Sequence, residues 1–158
     1  IQKLHARDTD LIVLCEDKCF RILANKDALF NADGNANVTS NTNVLGQAVP
    51  YVGEYGISKN PESFATFGFR VYFTDKARGA VIRLSRDGIT VISDQGMSDF
   101  IQDSMDATTA ALNGSYDEAS GTYNLRIGSE QISYDEGSKG WATRLTYQPE
   151  FALSLNSQ

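Results

Sequence analysis

Apolar and polar positions alternate over short stretches along most of this chain, which is the pattern of half-buried β-strands. Leu11 to Cys15 is apolar, Glu16-Asp17-Lys18 is polar, and Cys19 to Ala24 is apolar again, predicting a β-hairpin. Between Pro61 and Asp94 four strand-length runs follow one another: Ser63 to Phe67, Arg70 to Thr74, Ala80 to Leu84 and Ile89 to Ser93. Gly68-Phe69, Asp75 to Gly79 and Ser85 to Gly88 separate them, and Asp87-Gly88 is a tight-turn signal because glycine accepts positive φ. Four antiparallel strands in about 33 residues match one propeller blade or a four-stranded meander. In the second run Val71 and Phe73 face one side and Tyr72 and Thr74 the other. Both sides are apolar enough for a strand covered on two faces, as in a stacked blade.

Elsewhere the pattern changes. Lys26 to Phe30 has room for one helical turn, after which Asn31, Asp33, Gly34, Asn35, Asn37, Asn41 and Asn43 predict a long loop held by side-chain to backbone hydrogen bonds. Val44 to Ile57, with Gly46, Gly53 and Gly56, predicts an irregular, bulged extended path. Ser98 is placed to cap a helix running to about Leu112, with Phe100, Ile101, Met105, Thr108 and Leu112 on one stripe. Asn113-Gly114 reads as its stop, and Gly114 to Asp117, Gly121 to Ile127, Glu130 to Tyr134 and Ala142 to Tyr147 as further strands.

The fold class expected is therefore mainly β. It consists of antiparallel four-stranded blade or meander units, partially β-propeller-like, with one connecting helix. The division expected is a first β unit over 1–94, a connecting helix over 95–113 and a second, incomplete β unit over 114–158. Phe151 to Gln158 alternates apolar and polar like a strand that stops without a turn, and residue 1 is Ile, so a piece of a longer polypeptide is expected.

Composition narrows the function classes. The chain has 158 residues, a net charge of −6, three prolines and fifteen Phe and Tyr, which fits an ordered acidic protein. Its acidity argues against nucleic acid as partner, and no apolar run approaches the roughly 18–20 residues of a membrane span. Charge is uneven: Lys59 to Arg86 holds six basic and two acidic residues, and Asp94 to Glu136 nine acidic and one basic. Either these are solvated strand edges, or they form a plus-to-minus contact between neighbouring copies.

Chemical motifs are scarce. Cys15 and Cys19 flank a hairpin turn, but two thiols do not complete a zinc site, and His5, the single histidine, lies in another segment. There is no Gly-x-Ser-x-Gly, phosphate loop or His-Glu-x-x-His sequence. The run Asn31, Asp33, Asn35, Asn37 lacks the glycine and closing glutamate of a calcium loop. Carboxylate pairs such as Asp94 with Asp99 or Asp135 with Glu136 have the chemistry of glycoside hydrolysis, but such pairs are common in any acidic chain. No catalytic residue, cofactor or metal is assigned. Tyr51, Tyr55, Phe64, Phe67, Phe69, Tyr72 and Phe73 crowd into 23 residues, enough for a core, a sugar-stacking face or a subunit interface.

The stretch Tyr51-Val52-Gly53-Glu54-Tyr55-Gly56-Ile57-Ser58-Lys59-Asn60-Pro61-Glu62-Ser63-Phe64-Ala65 resembles a segment of large virion structural proteins of tailed bacteriophages. So does Arg70-Val71-Tyr72-Phe73-Thr74-Asp75-Lys76-Ala77-Arg78-Gly79-Ala80-Val81-Ile82-Arg83-Leu84 with its continuation to Ile89, and the ending Ile92-Ser93-Asp94-Gln95-Gly96-Met97. Ser133 to Trp141, followed by Pro149-Glu150, is similar to a further module of those proteins. The family's members are tail, nozzle or neck-associated components, some with β-propeller domains.

What the resemblance implies is a non-enzymatic structural component of the virion, assembled in the host cytoplasm. Its partners would be copies of itself and neighbouring virion proteins arranged around the tail axis. The expected packing or contact residues are Tyr51, Tyr55, Arg78, Arg86 and Trp141, and the loop from Asn31 to Gly56 is expected to reach neighbouring subunits. The alternatives are a receptor-binding or glycan-processing tail module with a host glycan as partner, and a cellular propeller scaffold. One complete blade and part of a second are legible, short of the four or more that a closed propeller needs.

Overall fold

The computed structural model describes residues 1–8, 10–23 and 45–154, together with the backbone of 29–30 and 36–37. Three antiparallel four-stranded sheets follow one another. The first contains β1 (Lys3–Arg7), β2 (Asp10–Leu14) and β3 (Cys19–Leu23). After a separate two-stranded pair, β4 (Leu29–Phe30) and β5 (Ala36–Asn37), it closes with β6 (Ala48–Pro50) in the order β1-β2-β3-β6. The second is the meander β7 (Ala65–Phe67), β8 (Arg70–Asp75), β9 (Ala80–Ser85) and β10 (Gly88–Val91). Helix α1 (Ser98–Ala107) leads to the third, β11 (Asn113–Asp117), β12 (Thr122–Ile127), β13 (Glu130–Asp135) and β14 (Gly140–Leu145).

The chain is thus mainly β with blade-like units and one helix, as the sequence predicts. It carries three four-stranded sheets, however, where the sequence makes one blade and part of another legible. The hairpin at 10–23 is the middle of a full sheet, completed by β1 and β6. The last unit, expected to be incomplete, has four strands. The alternating 151–154 segment is not a strand, and 155–158 lie outside the described residues. Leu29–Phe30 pairs as a strand with Ala36–Asn37 in place of the expected helical turn. The rest of the Asn-rich loop at 31–35 and 38–44 falls outside the described residues.

Helix α1 is shorter than its apolar stripe suggests. Met97, not Ser98, is the N-cap and makes no side-chain cap hydrogen bond; Thr108 already has extended backbone (φ −104°, ψ 138°). The Lys76 ammonium donates to the Thr108 carbonyl at 2.5 Å, satisfying a group the helix leaves open. Leu112 is buried, but from an extended segment. Asn113-Gly114 opens β11 and does not end the helix. An added Cβ on Gly114 would lie 2.1 Å from the Ser63 carbonyl oxygen, so glycine stands there to let two backbones touch.

The second sheet is covered on both faces, and β8 shows how. Val71 and Phe73 pack with Ile12, Leu14 and Cys19 of the first sheet. Tyr72, pointing the other way, packs with Tyr123, Leu125 and Tyr134 of the third sheet and with Ile101 and Met105 of the helix. On β9, Ile82 and Leu84 turn to the first core and Val81 to the second. Each fully buried aliphatic or aromatic side chain contributes about 2 kcal/mol through area removed from water. Two-sided burial of this central sheet is the main hydrophobic support of the stack.

Candidate functional site

The five residues singled out from the sequence are all engaged within the chain. Tyr51 is half-buried, and its hydroxyl accepts a hydrogen bond from Arg7 at 3.1 Å. Tyr55 packs against the first core, and its carbonyl accepts from the Cys19 thiol at 3.2 Å. Arg78 closes the turn after β8 by reaching the Asp75 carboxylate at 2.9 Å. Arg86 lies 3.4 Å over the Phe69 ring and pairs with Asp8 at 2.9 Å. Trp141 donates its indole N–H to the Ile92 carbonyl at 3.0 Å and meets Tyr134 edge-on. Tyr51 and Arg86 line one shallow groove beside Val49 and Ile89; Arg78 and Trp141 line others. Of the seven crowded aromatics only Phe69 is exposed, and the Arg86 guanidinium covers its ring.

Two carboxylates organise the polar contacts: Asp75, which the sequence reading did not single out, and Glu136, named there only as half of a carboxylate pair with Asp135. Asp75, fully buried, accepts from the Gly56 amide, the Ser58 hydroxyl, and the amide and guanidinium of Arg78. It clamps the segment entering the second sheet onto the end of β8. Gly56 is placed for this, because a Cβ there would lie 2.3 Å from the Glu16 carbonyl oxygen.

Glu136 sits between the second and third sheets. It accepts from the Tyr72 hydroxyl at 2.6 Å and pairs with Arg83 at 3.4 Å and Arg70 at 4.0 Å. Basic and acidic stretches of the chain therefore meet inside one molecule here. The Arg83 Nε is buried without a partner, so this guanidinium depends on Glu136 for its compensation.

Four tyrosines fill the same interface. Tyr72 stacks on Tyr116 and Tyr123 at centroid distances of 5.4 and 5.0 Å, and the Tyr123 hydroxyl donates to the Ser63 carbonyl at 2.7 Å. Burial pushes the hydroxyls of Tyr72, Tyr116, Tyr123 and Tyr134 above the ordinary value of 10; for Tyr72 the hydrogen bond to Glu136 adds to this. On the other side of the stack, burial and then the nearby Arg7 and Lys3 lower His5 below 6.5. The Cys19 thiol is pushed up to about 12, by burial first and then by Cys15 and Asp75. Both cysteines are free. Among the described residues no three His, Cys, Asp or Glu side chains gather as a metal site requires, and no helix is long and apolar enough to cross a membrane.

The two outermost faces of the stack differ in chemistry. Strand register places Leu4, Val13, Phe20 and Pro50 in one row across the first sheet, and Ala6, Leu11, Ile22 and Ala48 in the next. Ile12, Leu14 and Cys19 alternate with these and face inward, so both apolar rows lie on the outward side. Leu4 is 53% exposed, and Ala6, Ala48 and Pro50 on the edge strands are exposed too, whereas Val13 in the middle is buried and Leu11, Phe20 and Ile22 are partly buried. The corresponding row of the third sheet is Ser115, Asn124, Ser133 and Thr143. There Ser133 donates to Asn124, while Arg126 and Asn113 hold the carbonyls of Pro149 and Glu150. Alternation within β1 carries the signal of the apolar face, but its inward partners are Lys3, His5 and Arg7, which disguise it as a polar tail.

Compared with known proteins, the chain matches no protein-family model and no curated protein.

Proposed function

We propose that this chain is a non-enzymatic structural module of a tailed-phage virion, in the tail, nozzle or neck region, and that it acts by assembling with copies of itself and with neighbouring virion proteins. The observation that carries the reading is the outward face of the first sheet. It is apolar across all four strands and exposed along the edge strands at Leu4, Ala6, Ala48 and Pro50, with Val13 buried at its centre; exposed apolar side chains at the edge of a sheet suit association. The resemblance of residues 51–65, 70–89 and 133–141 to phage virion proteins supports the setting. The polar side chains support the mode of action: Asp75, Glu136, Arg7 and Arg78 hold sheets and turns together. A rigid stack of sheets is suited to bearing contacts with neighbours.

The test is cryo-electron microscopy and peptide mass spectrometry of purified particles containing the chain. Several copies around the tail axis are the expected result. Absence from the particles, or cleavage of a host polysaccharide by the isolated chain, would overturn the reading.

A further inference from the structure

We infer that the cleft at one end of the second sheet is a binding site for a sugar acid, a saccharide that carries a carboxylate. The inference goes beyond the assembly reading and does not rest on it, since a module that packs against neighbours can also hold a ligand. In a four-stranded meander the first and third turns come to the same end of the sheet. Here Gly68-Phe69, between β7 and β8, and Arg86-Asp87, between β9 and β10, form the two lips of a cleft of about 430 Å³. That is within the roughly 300–1,000 Å³ of small-ligand sites.

Strand register lines the cleft with cations. Val71 pairs with Leu84, so Arg70 stands beside Ser85, and Arg83 beside Tyr72, on one face of the two strands. Arg86 follows in the turn. Three of the six basic residues between Lys59 and Arg86 thus gather at one place. Their donors are only partly used. Arg70 is 41% exposed, and among the described residues its one ion-pair partner is Glu136 at 4.0 Å, with no hydrogen bond. Arg86 lies flat on the Phe69 ring and is held by Asp8 in a pair exposed on both sides, a kind that contributes little and exchanges readily. Arg83 is set deeper and pairs with Glu136 at 3.4 Å.

Two features select the ligand. A guanidinium is a planar fork that meets a planar carboxylate with two parallel hydrogen bonds, and Arg70 and Arg86 offer two such forks. Glu136, Asp8 and Asp87 equal the three arginines in number, so the site admits one added negative charge by taking Arg86 from Asp8. A dianionic phosphate or a run of acidic side chains over-charges it. The second feature is Asp87, which stands in the wall and accepts a hydrogen bond from the Ser85 hydroxyl. A carboxylate at that point suits the hydroxyls of a sugar ring and repels an acidic peptide, while Phe67 adds an apolar wall for the ring's C–H groups. At ordinary ligand efficiency, the about thirteen non-hydrogen atoms of a hexuronate give a Kd on the order of 1 mM.

The test is titration of the whole chain with sodium glucuronate, followed by amide chemical shifts, with glucose, inorganic phosphate and a short glutamate peptide as separate arms. Glucuronate should shift the amides of the two turns, and glucose should bind about tenfold more weakly. Arg70→Gln should weaken glucuronate by about tenfold, and Arg86→Gln repeats the test if that variant fails to fold. Asp8→Asn, which frees Arg86, should tighten binding. Arg144→Gln, on the third sheet, should bind like the wild type. Phosphate or the peptide binding at these turns more tightly than glucuronate, or glucose binding equally, would overturn the ligand class. No shift at millimolar glucuronate, or Arg70→Gln and Arg86→Gln chains that both bind normally, would overturn the site.

Discussion

The two interfaces inside the stack are built on different principles. Between the first and second sheets, Ile12, Leu14, Val71, Phe73, Ile82 and Leu84 fill the centre without direction, and the polar contacts, Arg7 to the Phe69 carbonyl and Arg86 to Asp8, lie outside that apolar core. Between the second and third sheets, tyrosines stack in offset pairs, and the hydroxyls of Tyr72 and Tyr123 end on defined acceptors, Glu136 and the Ser63 carbonyl. Aliphatic packing tolerates small shifts of one sheet over the other. An aromatic interface with fixed hydrogen bonds holds a single alignment, and it punishes the loss of one partner more than the loss of both. One chain therefore combines a compliant contact with a specified one.

The sharpest way to break this comparison is to empty each interface in turn. Tyr123→Ala should cost about 4 kcal/mol and Leu14→Ala about 3 kcal/mol, read from denaturant midpoints at unchanged m-value. Equal losses would argue that the hydrogen bonds add nothing to the tyrosine side. Glu136→Ala should cost about 3 kcal/mol, because it strands the Arg83 guanidinium and the Tyr72 hydroxyl together. The double variant Glu136→Ala, Tyr72→Phe should cost less than the sum of the single changes, and strict additivity would dissolve the proposed network.

Smaller effects sharpen the contrast. Raised tyrosine pKa values mean that the folded state holds these protons more tightly than the unfolded chain. Their contribution is complete below pH 10 and is lost as pH climbs above it. Trp141 is the single tryptophan and lies against this interface, so its fluorescence should shift as pH rises beyond 10. For His5 the sign is opposite in pH. Its lowered pKa favours the neutral ring in the folded state, so a modest loss of stability should appear as pH falls below 6.5 and be absent in His5→Gln. Smallest in energy but simplest to read, Cys15 should alkylate at pH 8.5 while Cys19, with its thiol near pH 12, stays protected until the chain unfolds. Equal labelling of both would show that the first core opens freely.

Local alternation made the second sheet legible, including the two-sided burial of β8, because all four of its strands are consecutive and joined by short turns. What stayed hidden needed distance. β1 reads as a polar tail because Lys3 and His5 are spent on the Phe64 ring and Arg7 on Tyr51 and the Phe69 carbonyl, all far along the chain. Gly114 looks like a helix stop until Ser63 is seen against it. Glu136 meets Arg83 across 53 positions, and nothing near it in sequence announces the pair. Trp141 was legible as a packing residue from its turn, whereas its acceptor, the Ile92 carbonyl, was not. The apolar outward rows of the first sheet were in the alternation all along, but deciding which side faces outward requires the strand pairing.

The alternation of β8 also has a consequence for how the chain avoids mispairing while it folds. A slip of one residue against β9 would turn Tyr72 into the aliphatic side and leave Val71 and Phe73 facing the carboxylate of Glu136. Every misaligned arrangement of that kind strands a hydroxyl and a charge at once, so the strand works as its own proofreader, rejecting wrong registers on both surfaces simultaneously.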